Sequence, residues 1–170
     1  REAGFNFKIK TTEVEETYPP DTPVDEVAGY LARKKAYASR EFIQEDEIIL
    51  AADSVVILDG VIYGKPLDAV DARQMLQKLS GQLHRVITGV CLLSKDREKV
   101  FSAESRVQFE PLSETEIDFY VEKYRPFDKA GSYAIQEWIG LCKISRIEGT
   151  FTNIMGLPVD QVYRELLDFV

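Results

Sequence analysis

One carboxylate in this sequence directly follows a long apolar run. Asp53 comes after five apolar residues, Ile48 to Ala52. A carboxylate in that position must be solvated in a cleft, paired with a cation or bound to a metal. A strand-end aspartate that makes only a turn or cap hydrogen bond fits the same spacing. Asp53 is therefore the strongest candidate for chemistry, with the structural alternative left open.

Two lysines could bind an anion. Lys65 lies between a glycine and a proline, on a rigid loop from which a flexible ammonium can reach a phosphate or carboxylate. Lys35 ends the basic run Arg33–Lys35 on a predicted helix. A charged helix face is usually only solvated, and a loop lysine often is too. Neither lysine indicates a site by itself.

The remaining polar candidates are weaker. His84 follows a helix stop and precedes a strand, which favours a hydrogen-bonded structural histidine. The run Asp128–Gly131 offers a carboxylate, a cation and a glycine that allows close approach to a phosphate, but it also reads as a charged turn. With one histidine in the chain, any catalytic metal should be a hard cation, Mg²⁺ or Mn²⁺, on carboxylate oxygens.

Composition limits the protein class. The 170 residues predict a single domain, 1–170, and no apolar run approaches the roughly 18 residues that span a bilayer. The net charge of -8 opposes binding to nucleic acid or an anionic membrane. Cys91 and Cys142 stand singly in apolar stretches, which predicts two buried reduced thiols and agrees with a cytoplasmic location. The chain begins at Arg1 rather than Met, so we expect that its native start is absent.

The elements that must position these residues alternate between helix and strand. Alternation predicts a strand over Phe5–Ile9, and Asp21 or Thr22 can cap a helix that continues to Phe42. The apolar run before Asp53 predicts a strand buried on both faces, with the carboxylate at its carboxyl end, where α/β sheets place ligands.

Local signals predict the later elements. Asp59-Gly60 favours a hairpin turn, Asp68 and Gly81 bound a helix, and Ser113 opens another helix with a capping box. The pattern predicts a mixed, twisted α/β sheet flanked by helices. Its further elements are strands over Val86–Leu93, Val100–Phe109 and Leu141–Ile147, and a last helix with Val162, Leu166 and Leu167 inward.

Several short motifs occur along nearly the whole chain. They are Val14–Glu16, Leu31–Ala36, Ala52–Val55, Gly64–Pro66, Met75–Gly81 with His84–Val90, Asp128–Gln136, and Asn153–Pro158. Each motif is weak alone, but in this order they resemble the Maf family of nucleoside triphosphate pyrophosphatases. The resemblance implies a fold like that of inosine triphosphate pyrophosphatases, with a cleft between two lobes.

The resemblance also implies an activity, a metal-dependent hydrolysis of a nucleoside triphosphate to the monophosphate and pyrophosphate. Attack on a charged phosphorus needs positioned cations and an aligned water more than a covalent nucleophile. The implied assignments are Asp53 as the base or water-positioning carboxylate, Glu15 with Asp53 on the metal, Lys35 and Lys65 on phosphates, Asp128 and Lys129 completing the pocket, and Ser54 and Gln136 in substrate choice.

The chain departs from the family pattern in places. It begins after the family's first strand and Ser-x-Ser-Pro-Arg-Arg loop, so we expect low activity without that loop. Ser54 replaces the usual threonine, Glu137 stands where a glycine often follows Gln136, and Gly149–Phe151 replaces a more polar turn. These changes leave the chemistry plausible.

Substrate choice within the family follows from two positions. Lys129 and Gln136 match the branch that cleaves dTTP and UTP, whereas Cys and Glu there are typical of the 7-methylguanosine triphosphate branch. The other reading is a nucleotide-binding regulator of cell division. A homodimer is expected from the family alone.

Overall fold

The computed structural model describes residues 3–170 and contains a five-stranded sheet flanked by helices, which confirms the predicted α/β class. A mixed sheet was predicted, but every strand pair in the described residues is antiparallel. The strands are β1 (Ile49–Leu58), β2 (Val61–Tyr63), β3 (Leu83–Leu93), β4 (Glu98–Phe109) and β5 (Ile144–Glu148). Their spatial order in the sheet is β2-β1-β3-β4-β5.

The helices cover both faces of the sheet. The first helix packs on one face, against Val55, Ile57 and Ile87. The second and third helices pack on the opposite face, against Val56 and Leu58. We call the first of these faces the α1 face and the other the reverse face. The helices are α1 (Val27–Ala38), α2 (Ala69–Leu79), α3 (Glu114–Tyr124), α4 (Trp138–Cys142), α5 (Phe151–Ile154) and α6 (Val159–Phe169), with 3₁₀ turns at Arg40–Phe42 and Ala130–Ser132.

Asp53 lies inside β1 rather than at its end, so the prediction of a strand that stops there was wrong. The residues before and after Asp53 form one strand of 10 residues. The strand continues because the carboxylate is paired with a lysine of α1, as described below. Since side chains alternate along a strand, Asp53 points to the α1 face and its neighbour Ser54 points to the reverse face.

A glycine on β3 sets the distance between α1 and the sheet. Gly89 is the register partner of Asp53. A Cβ atom at Gly89 would lie 2.3 Å from the backbone nitrogen of Gly29 and 2.4 Å from the carbonyl carbon of Ala28. Only glycine therefore allows the backbone of α1 to touch β3 here. Lys35 lies seven residues after Ala28, on the same side of the helix, and so reaches Asp53.

Predictions that depend on local chemistry are confirmed. Leu58 pairs with Val61 across the Asp59-Gly60 turn. The Asp68 carboxylate accepts hydrogen bonds from two amides in the first turn of α2. At the start of α3, Ser113 and Glu116 form the predicted capping box. In each case the stabilising partner lies within a few residues along the chain, which is why sequence alone identifies it.

Several boundaries differ from the predictions. Phe5–Ile9 forms no strand, and the first helix begins at Val27 and ends at Ala38. Before it, Thr22 and Glu26 donate to Pro19 and Pro23 in isolated turns, because the prolines interrupt a continuous helix. The predicted late strand divides, since its first two residues end α4 and β5 begins only at Ile144.

Two predicted core residues are exposed. Cys142 is exposed at the end of the short α4, whereas Cys91 is buried against α1 as predicted. Leu167 faces solvent, while Val162 on the same helix is buried and Leu166 packs beside it. The prediction assigned both consecutive leucines to one face, but residues one apart on a helix point about 100° away from each other.

Candidate active site

Asp53 is the inner end of a row of charged side chains on the α1 face. Its side chain is 11% exposed and forms an ion pair with Lys35. Lys35 Nζ also lies 2.9 Å from Glu16 Oε1. β1, α1 and the extended segment before α1 thus each place one charged side chain at the same point. A carboxylate in such a position needs a partner, and Lys35 supplies it.

Lys65 is the outer end of the row. Its Nζ lies 2.6 Å from Glu16 Oε1 and 2.7 Å from Glu16 Oε2. Its side chain is 48% exposed, so this end opens to solvent. We call Asp53, Lys35, Glu16 and Lys65 the ion row. Charge alternates along it from a nearly buried carboxylate to an accessible ammonium, and three of its members were predicted from sequence.

Burial and pairing act in opposite directions on these groups. Burial raises the pKa of the Asp53 carboxyl above its usual range, although Lys35 opposes the change. For Glu16, burial would raise the pKa, but hydrogen bonds from Lys65 and Lys35 outweigh it and lower the pKa. For Lys35, burial would lower the pKa, but Asp53 and Glu16 outweigh it and raise the pKa. Pairing therefore outweighs burial at Lys35 and at Glu16, whereas burial outweighs pairing at Asp53.

The structure places Glu16, and not Glu15, in the ion row. Lys34 Nζ donates to the backbone oxygens of Glu15 at 2.7 Å and Thr17 at 3.1 Å, which fixes this extended segment. The Glu15 carboxylate is exposed and forms no ion pair or hydrogen bond within residues 3–170. Sequence reasoning missed Glu16, although it is the last residue of the matching segment Val14–Glu16.

The loop with Asp128 and Lys129 lies beside the outer end of the row. Lys129 Nζ is 2.6 Å from Asp128 Oδ2, and Lys129 lowers the pKa of Asp128, with a smaller contribution from Lys65. The amide of Gly131 donates to the carbonyl of Gly64 at 3.0 Å, one residue before Lys65. Gly131 has φ 66°, which favours glycine, and a Cβ there would lie 2.9 Å from Val56. The two loops are therefore held together.

Ser54 is not part of the row. On the reverse face, its Oγ lies 2.7 Å from Thr88 Oγ1, and Thr88 donates to the carbonyl of Asn153 at 2.9 Å. That carbonyl can only accept, so the single hydroxyl hydrogen of Thr88 is used there and Ser54 must be the donor to Thr88. The lone pairs of Ser54 stay available as acceptors. Nearby, a Cβ at Gly156 would be 3.7 Å from Ser54 Oγ.

Gln136 is exposed at the surface just before α4. Its amide forms no hydrogen bond with the described part of the chain. No hydrogen bond or ion pair among residues 3–170 links Gln136 to the ion row, and it follows Asp128 and Gly131 along the chain. Both the amide donor and the amide acceptor of Gln136 are available to a ligand.

His84 has the structural role that was favoured from sequence. It is buried, and its Nε2 lies 2.8 Å from the Tyr133 hydroxyl. The ring also meets Phe109 edge to face. Burial lowers its pKa to about 4, so His84 is neutral at physiological pH. It is on the reverse face, away from the ion row.

The carboxylates of the ion row are the candidate ligands for a divalent metal. Within residues 3–170, no three His, Cys, Asp or Glu side chains gather to hold a metal ion. Asp53 and Glu16 nevertheless share one cation, the Lys35 ammonium. Carboxylate oxygens are hard donors suited to Mg²⁺, which often takes only one or two carboxylates and completes its shell with phosphate oxygens and water. The donor set therefore fits such an ion together with a phosphate ligand.

Comparison with known proteins points to one family. A family profile described as Maf-like protein matches residues 1–169. A dTTP/UTP pyrophosphatase of Phocaeicola vulgatus is 50% identical over 164 residues, 96% of this chain and 85% of the relative. A dTTP/UTP pyrophosphatase of Porphyromonas gingivalis is 50% identical over 159 residues, 92% of this chain and 80% of the relative. One of Bacteroides thetaiotaomicron is 46% identical over 164 residues, with 96% and 85% covered. None of the helices between residues 3 and 170 has the length and hydrophobicity that a membrane span requires.

Proposed function

This chain belongs to the Maf-like protein family, and we propose that it hydrolyses dTTP and UTP between the α and β phosphates, releasing the monophosphate and pyrophosphate. The observation that carries the proposal is the ion row, which presents two lysines and two carboxylates where α1 meets β1. The names of the similar proteins support the substrate class. The ion row supports the type of reaction, because phosphoryl transfer depends mainly on positioned charge.

The two lysines bind the phosphates in this proposal. Lys65 is accessible, and within residues 3–170 its ammonium pairs with Glu16 alone, so a triphosphate oxygen can replace that carboxylate as its partner. Lys35 lies deeper, between Glu16 and Asp53. Together the two ammonium groups stabilise charge that develops on the phosphate oxygens as the bond breaks. Asp128 and Lys129 extend the pocket beyond Lys65.

Asp53 acts on the attacking water. Its carboxylate is a better base than a fully solvated aspartate, because burial raises its pKa. It also lies directly beside Lys35, so a water held by Asp53 is close to a phosphate held by that lysine. No side chain has to form a covalent intermediate. The role of Asp53 is to orient the water and accept its proton.

A divalent cation, Mg²⁺ or Mn²⁺, would be held by Asp53 and Glu16. We assign Glu16 to this role in place of Glu15, because the Glu16 carboxylate shares the Lys35 ammonium with Asp53, whereas Glu15 pairs with no cation in the described part of the chain. When bound, the cation neutralises phosphate charge and lowers the barrier to attack. Glu16 then has two functions, since it also keeps Lys35 and Lys65 in place before the nucleotide enters.

The proposal is tested by the products formed from dTTP and Mg²⁺. We expect equimolar dTMP and pyrophosphate, with no dTDP or orthophosphate. Asp59→Asn, the control for Asp53→Asn, lies in the exposed turn that follows β1 and should leave the rate of dTTP hydrolysis unchanged. Tight binding of dTTP without product formation would instead favour the nucleotide-binding regulator, and cleavage to dTDP would reject the assigned bond.

Substrate class is tested at Gln136. A neutral amide offers a donor and an acceptor to the adjacent N–H and carbonyl of thymine or uracil, whereas a carboxylate only accepts. Gln136→Glu should lower kcat/KM for dTTP and UTP by roughly ten- to a hundredfold and narrow the gap to 7-methylguanosine triphosphate. Gln77→Glu on the exposed side of α2 is the matched control. Preference of the unaltered protein for the methylated purine would overturn the assignment.

A further inference from the structure

The turn that carries Gln136 is unusual in its burial. Tyr133, Ala134 and Ile135 are all buried, and Gln136 emerges alone into solvent. Its side chain has no hydrogen-bond partner within residues 3–170, so its amide is held only through the backbone below it. The position of the amide therefore depends on what fixes that backbone.

The hydroxyl of Tyr120 binds the turn on both sides of Gln136. It accepts a hydrogen bond from the amide of Ala134 at 3.0 Å and donates to Glu137 Oε2 at 2.5 Å. The direction of both bonds is fixed, because a backbone amide can only donate and the tyrosine has a single hydrogen to give. Glu137 therefore takes part as an acceptor, and a bond to a carboxylate is stronger than a neutral one.

The tyrosine that forms these bonds is itself immobile. Tyr120 is fully buried in α3, and its ring stacks on Tyr124 with centroids 5.0 Å apart. Gly140 also meets this turn, since a Cβ there would lie 1.8 Å from the carbonyl oxygen of Ile135. Because Gly140 has no side chain, α4 folds back directly onto the turn. Tyr120 and Gly140 thus both restrain this backbone.

We propose that Tyr120, acting through Ala134 and Glu137, is a positioning residue that fixes the Gln136 amide for recognition of the pyrimidine base. The proposal rests on the proposed function in that it takes Gln136 as the base-reading residue. A rigid backbone reduces the entropy lost when the amide pairs with a base. Loss of the Tyr120 hydroxyl should therefore weaken nucleotide binding without disturbing the ion row, which lies on other elements.

The test compares a ligand that has a base with one that has none. For Tyr120→Phe, the Kd of α,β-methylene-dTTP, measured by calorimetry, should rise roughly three- to tenfold, the value of one hydrogen bond. The inhibition constant of inorganic tripolyphosphate, which lacks a base, should not change. With dTTP as substrate, KM should rise and kcat should stay close to that of the unaltered protein. Urea unfolding of each variant shows whether it is folded.

Further variants separate positioning from general stability. Glu137→Ala should reproduce the effect of Tyr120→Phe, and Glu137→Gln, which keeps an acceptor, should restore most of the binding. Tyr124→Phe removes a hydroxyl that forms no hydrogen bond within the described residues and should have no effect. In a Gln136→Ala background, Tyr120→Phe should add nothing, since residues that act as one unit are not additive.

Three results would overturn the proposal: no change in Kd for folded Tyr120→Phe, equal weakening of tripolyphosphate, or a full effect that persists in Gln136→Ala. These outcomes are distinct from failure of the proposed function, which would show as a lack of pyrophosphate release by the unaltered protein. Binding of the methylene analogue does not require turnover. The role of Tyr120 is therefore decided by binding even if no hydrolysis occurs.

Discussion

The two faces of β1 hold polar side chains in opposite ways. On the α1 face, Asp53 begins a row of four charged groups that ends at Lys65, which is 48% exposed. On the reverse face, Ser54 begins a chain of neutral hydrogen bonds through Thr88 and Asn153, both of which are fully buried. The two chains start at consecutive residues of one strand and diverge only because side chains alternate along it.

This difference indicates which of the two sets of side chains can bind a ligand and which maintains the fold. Charged groups that reach solvent can exchange partners with a ligand at little cost, because water and ligand replace the ion pair. Buried neutral groups cannot exchange partners without leaving a donor or acceptor unpaired. We therefore expect substitutions in the ion row to affect mainly turnover and substitutions at Thr88 and Asn153 to affect mainly stability.

A large effect on turnover is expected at Lys35, inside the ion row. Lys35→Met should lower kcat/KM for dTTP by roughly a hundred- to a thousandfold, as removal of one positioned charge-stabilising donor commonly does. Arg33→Met on the same helix breaks an exposed ion pair with Glu98 and is the control. Steady-state kinetics of both variants give the comparison. Equal losses in the two would mean that α1 supplies only general positive charge.

Because of His84, the free energy of unfolding should depend on pH. Its pKa is about 4 in the folded protein against an ordinary 6.5, so between these values the unfolded chain binds a proton that the folded chain does not. The free energy of unfolding should therefore fall by roughly 3 kcal/mol as pH decreases through this window, and this contribution should be fully present above it.

Urea unfolding at several pH values from 7.5 to 4 measures this effect. Carboxylates elsewhere also titrate at the acidic end, so the informative quantity is the difference from His84→Gln, which has no proton to gain there. The variant should lose the part of the pH dependence that lies near pH 6. If both proteins show the same profile, His84 is not buried as a neutral ring.

Thr88 gives a smaller effect, on stability alone. Thr88→Val leaves the carbonyl of Asn153 and the hydroxyl of Ser54 without their partner, which should lower the free energy of unfolding by about 1 to 3 kcal/mol. Thr88→Ser keeps the hydroxyl and should lose less. Turnover of dTTP by Thr88→Val should stay far closer to the unaltered protein than that of Lys35→Met. A large loss of kcat in the folded variant would show that Thr88 contributes to turnover as well as to stability.

The sequence predicted features whose partners lie close along the chain and missed features whose partners lie far away along it. The Asp59-Gly60 turn and the caps at Asp68 and Ser113 were predicted correctly because their hydrogen bonds close within a few residues. Asp53 was recognised as a candidate but placed at a strand end. Its compensating lysine belongs to α1, and the contact depends on a glycine of β3.

Prediction of the candidate site was limited in the same way, by contacts between segments that are distant along the chain. The resemblance implied that Lys35 and Lys65 bind phosphates and that Glu15 helps to bind a metal, and it did not point to Glu16, the carboxylate that contacts both lysines in the structure. Which of two adjacent carboxylates faces the lysines depends on how an irregular segment runs, and Lys34 holds that segment from α1. No periodic pattern marks such a segment. The support of Gln136 by Tyr120 was likewise invisible, because the two residues belong to different elements.

The role of Asp53 is tested most directly by measuring turnover and binding together in Asp53→Asn. In this variant, kcat for dTTP with Mg²⁺ should fall by roughly 10² to 10⁴, the usual cost of losing a positioned base. The Kd of α,β-methylene-dTTP should stay within about tenfold, because the lysines that bind the phosphates remain. Near-normal turnover in this variant would contradict the proposed reaction, since Asp53 would then be neither the base nor an essential metal ligand.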